Sequence, residues 1–303
     1  MEETRVNLLE YLRSKTQVDL DTFDITGISF PRLLEHTLNL ETVAAGLHDQ
    51  FPEVTFDELG VEVGAVLLAG EMVPAFTGNL HLMVNPSYAY SREKVIEAAK
   101  STPSPISLYP VLPATWEGLQ ACRDLQAFKI KTLGTTLFSM EQAILAGEAG
   151  CVSISPFVHS LRILVDPEYK DPHPVYNLSA QAQRWYRRQS LPTKVKSCST
   201  VGVDELLELA GIDALTIIPD DLRALQSTYR DANQVFKLSI VENGTQNDDK
   251  IEHISYINDE EKYRADFQKA DEGRAKAKTA EAIDIFCGFQ AKAEDVIRKA
   301  KGQ

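Results

Sequence analysis

The chain has 303 residues, 44% of them hydrophobic and 25% charged, ordinary globular material long enough for a sizeable core in one large domain or two small ones. Its 44 acidic and 31 basic residues leave a formal charge of -13, which repels polyphosphate backbones and anionic membranes and argues against nucleic acid as a partner. No apolar run nears the roughly 20 residues that span a bilayer, and Met1-Glu-Glu-Thr-Arg5 lacks the pattern of a secretory signal, so a soluble cytoplasmic protein with no membrane partner is expected.

Cys122, Cys151, Cys198 and Cys287 form no CxxC pair, so neither a zinc site nor a disulfide framework is suggested, and no metal or cofactor is assigned. The N-x-[ST] matches at Asn177 and Asn243 carry weight only in a secreted chain.

Along the middle of the chain, short apolar runs alternate with longer amphipathic stretches, as in parallel strands joined by helices. Ser107 to Leu112 predicts a strand and Trp116 to Leu125 a helix. The Thr-rich stretch Ile130 to Phe138 suits a buried strand, with a helix from Met140 to Ala149 behind it. Cys151 to Val158 repeats the step, then Lys194 to Thr200 leading into the helix Val203 to Ala210, and then Ala214 to Ile218. Such a run fits an open doubly wound sheet or a closed barrel, and periodicity does not choose between them. Neither GxGxxG nor GxxxxGK[ST] occurs, which removes the nucleotide-binding reason for the open sheet. Residues 259 to 303 predict a C-terminal helical extension whose apolar stripe is Ala280, Ile283, Phe286, Cys287, Val296 and Ile297.

Three strand segments are distinctive: Leu112-Pro-Ala-Thr-Trp-Glu-Gly118, Thr135-Thr-Leu-Phe-Ser-Met-Glu-Gln-Ala143 and Ile154-Ser-Pro-Phe-Val158. In order and spacing they resemble the transaldolase family's fourth, fifth and sixth strands, and Glu205 to Pro219 is similar to its seventh helix and eighth strand. The resemblance covers most of the chain and selects the barrel. It implies an α/β fold of the (β/α)8 TIM type, one domain over 1–303, with 259–303 packed on it as a helical extension.

The resemblance also implies roles. Transaldolases form a Schiff base on a fourth-strand lysine, because an iminium draws electrons better than a ketone does. Here that position falls on Val111, and its neighbours Leu108, Tyr109, Pro110 and Leu112 offer no amine. The acidic residue of strand three matches His81, still able to shuttle protons near neutrality. The strand-one aspartate matches Asp21, with Asp19 competing. The family's asparagines fall on Phe30 and Leu133, while Thr135, Ser155 and Ser199 keep small hydroxyls. Its two phosphate-clamping arginines fall on Ser160 and Val201, with Arg162 two residues beyond the first. Losing bidentate cations argues against a sugar phosphate.

Lys131 alternates inward with Leu133 and Thr135 but deeper than the site. Lys194 and Lys196 face away if Ser199 faces in. Asp220-Asp221 suits a helix cap better than a metal. The expectation is therefore lysine-independent acid/base carbonyl chemistry, such as aldol-type cyclisation, dehydration or isomerisation, on a non-phosphorylated small molecule of a biosynthetic pathway. His81, His159, Asp21 and Tyr109 would move protons. Thr135, Ser155 and Ser199 would hold oxygens, and Phe30, Val111 and Leu133 would form an apolar wall. The alternatives are an inactive binding protein and transaldolase activity through Lys131. The expected partner is a small-molecule substrate, and a homodimer is left open.

Overall fold

A computed structural model describes residues 5–21, 46, 48, 51, 54–73, 78–101, 108–243 and 254–301. Among these, nine strands are found: β1 Arg5–Asn7, β2 Gln17–Leu20, β3 Leu80–Met83, β4 Leu108–Pro113, β5 Leu133–Leu137, β6 Ser153–Pro156, β7 Lys194–Ser197, β8 Ala214–Ile217 and β9 Tyr229–Asp231. A helix follows each of β3 to β8. This is the α/β class in its (β/α)8 form, as the resemblance implies. The segment carrying Phe30 lies outside the described residues.

Contacts gather the chain into two compact units, residues 1–21 with 134–282 and residues 22–133 with 283–303. In the first unit the strand order is β2-β8-β7-β6-β5. The earliest parallel strand therefore pairs with the last, Val18 opposite Leu215 and Asp19 opposite Thr216. In a doubly wound sheet the first strand lies among the middle ones; first beside last is the closing seam of a barrel. Ile154, Val195 and Leu215 are fully buried, and Ser197 meets Ser179 of the helix Tyr176–Arg188 at 2.9 Å between hydroxyls. These residues mark the helix-facing side of the sheet. An antiparallel pair that the sequence did not suggest, β1 with β9, joins Arg5 to Asp231 and Asn7 to Tyr229.

In the second unit β3 and β4 run parallel, His81 opposite Tyr109 and Met83 opposite Val111. The helix Trp116–Leu125 starts at Thr115, whose hydroxyl accepts from Gly118 N at 2.9 Å and donates to Ala89 O at 2.5 Å. A Cβ on Gly118 would stand 2.1 Å from the Pro113 carbonyl oxygen, so only glycine lets this helix turn back so closely on its strand.

The C-terminal extension departs from the single expected stripe. Helix Glu260–Lys269 ends at a turn where Asp271, Glu272 and Gly273 all have positive φ, and a second helix runs Arg274–Lys301. Of the expected stripe only Ile283 and Ile297 are buried; among the described residues Tyr263 in the first helix and Ala275, Lys278, Thr279 and Ala282 in the second are the other buried positions. The buried polar pair is the reason apolar spacing misplaced the face: Lys278 donates to Asp171 at 2.7 Å, and Thr279 accepts from Gln142 at 3.1 Å.

Candidate active site

Strand alternation in the first unit places Asp19, Ser155, Lys196, Cys198 and Thr216 on the side of the sheet away from the helices. Their contacts agree. The Lys196 ammonium on β7 forms an ion pair with Asp19 on β2, and the other Asp19 oxygen accepts from Gln17 Nε2 at 2.7 Å. The Ser155 hydroxyl lies 3.1 Å from the Lys196 carbonyl and 3.2 Å from the Cys198 sulfur. Asp21 follows β2, its amide donating to Ile217 O at 2.9 Å. Its side chain is exposed at the surface, yet desolvation by the surrounding chain raises its carboxyl above the ordinary value. Burial, and after it the nearby Asp21 charge, pushes the Cys198 thiol up as well, although Ser155 opposes this.

The expectation that Lys196 faces away is corrected here. It counts alternation from Ser199, whose φ of 57° takes that residue out of strand geometry. Counted instead from buried Val195 and Ser197, Lys196 belongs with Ser155 and Asp19. Lys196 is the site residue that sequence reasoning missed, and the fully apolar or small residues flanking it were the usable signal.

Two further expected residues are accounted for locally. The Ser199 hydroxyl donates to the His159 carbonyl at 3.3 Å. Thr135 is buried beside Thr136, whose φ is 58°. For a β-branched residue that backbone costs on the order of 1–3 kcal/mol. The Thr136 carbonyl accepts from Gln142 at 3.2 Å and Thr279 at 3.3 Å, which holds the turn.

His159 lies in a buried polar network. Its Nε2 is 2.9 and 3.0 Å from the two Glu205 oxygens, and its Nδ1 is 4.0 Å from Asp171. Tyr176 donates to Glu205 at 2.8 Å and Val201 N donates to it at 2.6 Å. Burial would raise the Glu205 carboxyl, but hydrogen bonds from His159, Val201 N and Tyr176 outweigh it and hold the group below its ordinary value. Asp171 is likewise lowered, against burial, by Lys278 and by the amides of Ser160 and His173. The Ser160 hydroxyl is bonded to Glu281 and its amide donates to Asp171 at 2.7 Å. Arg162 is paired with Asp166 at 2.8 Å.

In the second unit the His81 and Tyr109 rings meet edge to face, centroids 5.7 Å apart. Lys131, exposed, donates to the Tyr109 hydroxyl at 3.2 Å. Val111 and Leu133 are buried. Register puts Met83, not His81, opposite Val111, so His81 and Tyr109 sit about 7 Å nearer the strand starts. In this fold chemistry gathers at the strand ends. At the end of β3, Asn85 and Tyr88 each reach Glu58 at 3.3 Å. One turn further along the helix Phe56–Met72 that carries Glu58, burial and then the Glu58 charge push the Glu62 carboxyl up to about 7. Phe30 lies outside the described residues. Among them, no group of three or more His, Cys, Asp or Glu is arranged to hold a metal ion, and no helix is long and apolar enough to cross a membrane.

Residues 34–295 match the family model described as transaldolase/fructose-6-phosphate aldolase. A transaldolase of Gibberella intermedia is 29% identical over 293 residues, 89% of this chain and 84% of its own length. One of Kluyveromyces lactis is 30% identical over 281 residues, covering 84% and 77%, and one of Gloeobacter violaceus 32% over 266 residues, covering 77% and 68%.

Proposed function

The chain belongs to the transaldolase/fructose-6-phosphate aldolase family, and from that premise we propose that it is an enzyme of acid/base carbonyl chemistry, such as aldol-type cyclisation, dehydration or isomerisation, on a small molecule without phosphate, with no part for a fourth-strand lysine. The observation that carries this is the charge at the two positions where the family resemblance puts phosphate-binding arginines. Ser160 is bonded to the carboxylates of Glu281 and Asp171, and the Val201 amide to that of Glu205. A phosphate dianion there would meet anions instead of guanidinium forks.

β4, Leu108–Pro113, carries no amine, and Val111 has Met83 opposite it. Proton transfer then falls to Asp21, whose raised carboxyl suits a general acid or base, with Thr135 and Ser155 as oxygen-binding hydroxyls. His81 and Tyr109, which meet edge to face on β3 and β4, are kept as a packed pair within the second unit. His159, bonded through Nε2 to the Glu205 carboxylate, has a positioning role for the segment after β6.

The test follows exchange of carbonyl α-protons in D2O by NMR, with hydroxyacetone as the neutral probe, alongside transaldolase turnover of fructose 6-phosphate. Exchange that falls at least tenfold in Asp21→Asn, with no fructose 6-phosphate turnover, is the expected result. Turnover of the sugar phosphate at rates ordinary for an enzyme, about 1 per second or more, would overturn the proposal.

A further inference from the structure

We infer that Lys196 is an imine-forming amine, relocated to β7 in the chain's first unit and served by Asp19. The inference takes its substrate class, a small phosphate-free ketone or aldehyde, from the preceding reading and goes beyond it by naming the nucleophile.

Three observations carry it. Lys196 is on the side of the sheet opposite the helices, together with Ser155, Cys198 and Thr216, and its side chain is only 12% exposed. Its ammonium meets Asp19 directly, and that carboxylate is fixed from the other side by Gln17 at 2.7 Å. Asp21 lies two residues beyond Asp19 on the same strand edge, so a carboxyl kept above its ordinary value by desolvation stands one step nearer the strand ends. An ion pair that serves the fold alone needs only the two charges; this one comes with a second titratable group and a row of small hydroxyl and thiol side chains on the same face.

The chemistry balances within these groups. Asp19 takes a proton from the ammonium, the free Nζ lone pair adds to the substrate carbonyl carbon, and a second Nζ proton passes to the carbonyl oxygen, which becomes a hydroxyl. Asp19 returns the proton as that hydroxyl leaves as water, giving the iminium. One water is lost, no oxidant or reductant is needed, and a cation stands beside Asp19 both before and after. The electrostatics that hold the ammonium therefore hold the iminium equally well. Asp21 then removes the α-proton, with the iminium as electron sink.

The experiment treats the full chain with hydroxyacetone and cyanoborohydride and maps the mass gain of reductive alkylation by peptide. Lys194 is an internal standard on the same strand, with its side chain 66% exposed. The inference expects Lys196 to be labelled at least tenfold faster than Lys194 despite its burial, and the labelling to fall in Asp19→Asn. The Lys196→Arg variant keeps a cation for Asp19 and should lose α-proton exchange. Labelling of Lys196 no faster than of Lys194, or none, overturns the inference. If exchange nevertheless persists in both wild type and Lys196→Arg, the carbonyl reading survives without the imine; if it is absent from wild type, that reading fails by itself.

Discussion

Lys131 and Lys196 carry the same charge under opposite conditions. In the second unit Lys131 is exposed and rests on a neutral partner, the Tyr109 hydroxyl at 3.2 Å. In the first unit Lys196 is nearly buried and is matched by a carboxylate. An exposed ammonium keeps its water and asks little of its neighbours, whereas a buried one persists only where a counter-charge is built in. The lesson is that a lysine's fitness for chemistry is set by what faces it. Nearness in sequence to the position a relative uses is a poor guide.

That contrast breaks if removing the two partners costs the same. Asp19→Ala strands a buried cation and should lower unfolding free energy by about 3 kcal/mol, while Tyr109→Phe at the exposed lysine should cost under about 1 kcal/mol, both read from urea denaturation at pH 7. Equal losses would remove the distinction.

The His159 network sharpens it from another side, because there the part-buried carboxylate of Glu205 is held by the His159 ring, the Tyr176 hydroxyl and the Val201 amide. Glu205→Gln should cost roughly 2 kcal/mol near neutrality. Since the folded carboxyl is held below its unfolded value of 4.5, the wild-type advantage is complete above that pH and disappears as pH falls through the folded value. Denaturation curves that keep the full difference at pH 3 would contradict the assignment.

Glu62 gives the opposite pH sense. Its folded carboxyl titrates at about 7 against 4.5 unfolded. Between these values the native state keeps a proton that the unfolded chain has released, so stability falls as pH rises through the window and stays lowered above it. Glu62→Gln should therefore stabilise the protein at pH 8 by on the order of 1–2 kcal/mol and by almost nothing at pH 4.5. A gain that is flat across pH would mean that burial and Glu58 are not what raise this group.

Much of the barrel is legible in the sequence, because its strands and helices are local patterns. The Leu112 to Gly118 segment holds both a strand end and a helix cap, and Gly118 is there for a steric reason that any copy of the turn would share. The site is less legible. Lys196 is misread when alternation is carried through Ser199, which has left the strand. His159 is visible as a residue type, but its partners Asp171, Glu205 and Tyr176 come from separate elements, so nothing nearby announces that both sides of the ring are flanked by carboxylates. His81 is found by resemblance, yet only register reveals that it lies level with Tyr109 and leaves Met83 opposite Val111. The tail's buried face is missed for the same kind of reason, since Lys278 and Thr279 are buried by polar partners rather than by apolar spacing.

The seam between β2 and β8 has a consequence in time as well as in space. Asp19 and Lys196 are separated by 177 residues, and among the described residues the strand that pairs with β2 is Ala214–Ile217, made near the end of the first unit. A chain growing from its N-terminus therefore carries Asp19 uncompensated through most of its synthesis, and the first unit closes only when β8 and then β9 arrive. Long-range pairing of this kind is slow to form. The reactive amine and the carboxylate that governs it thus meet only as folding finishes, so no shorter, partly built chain presents the pair.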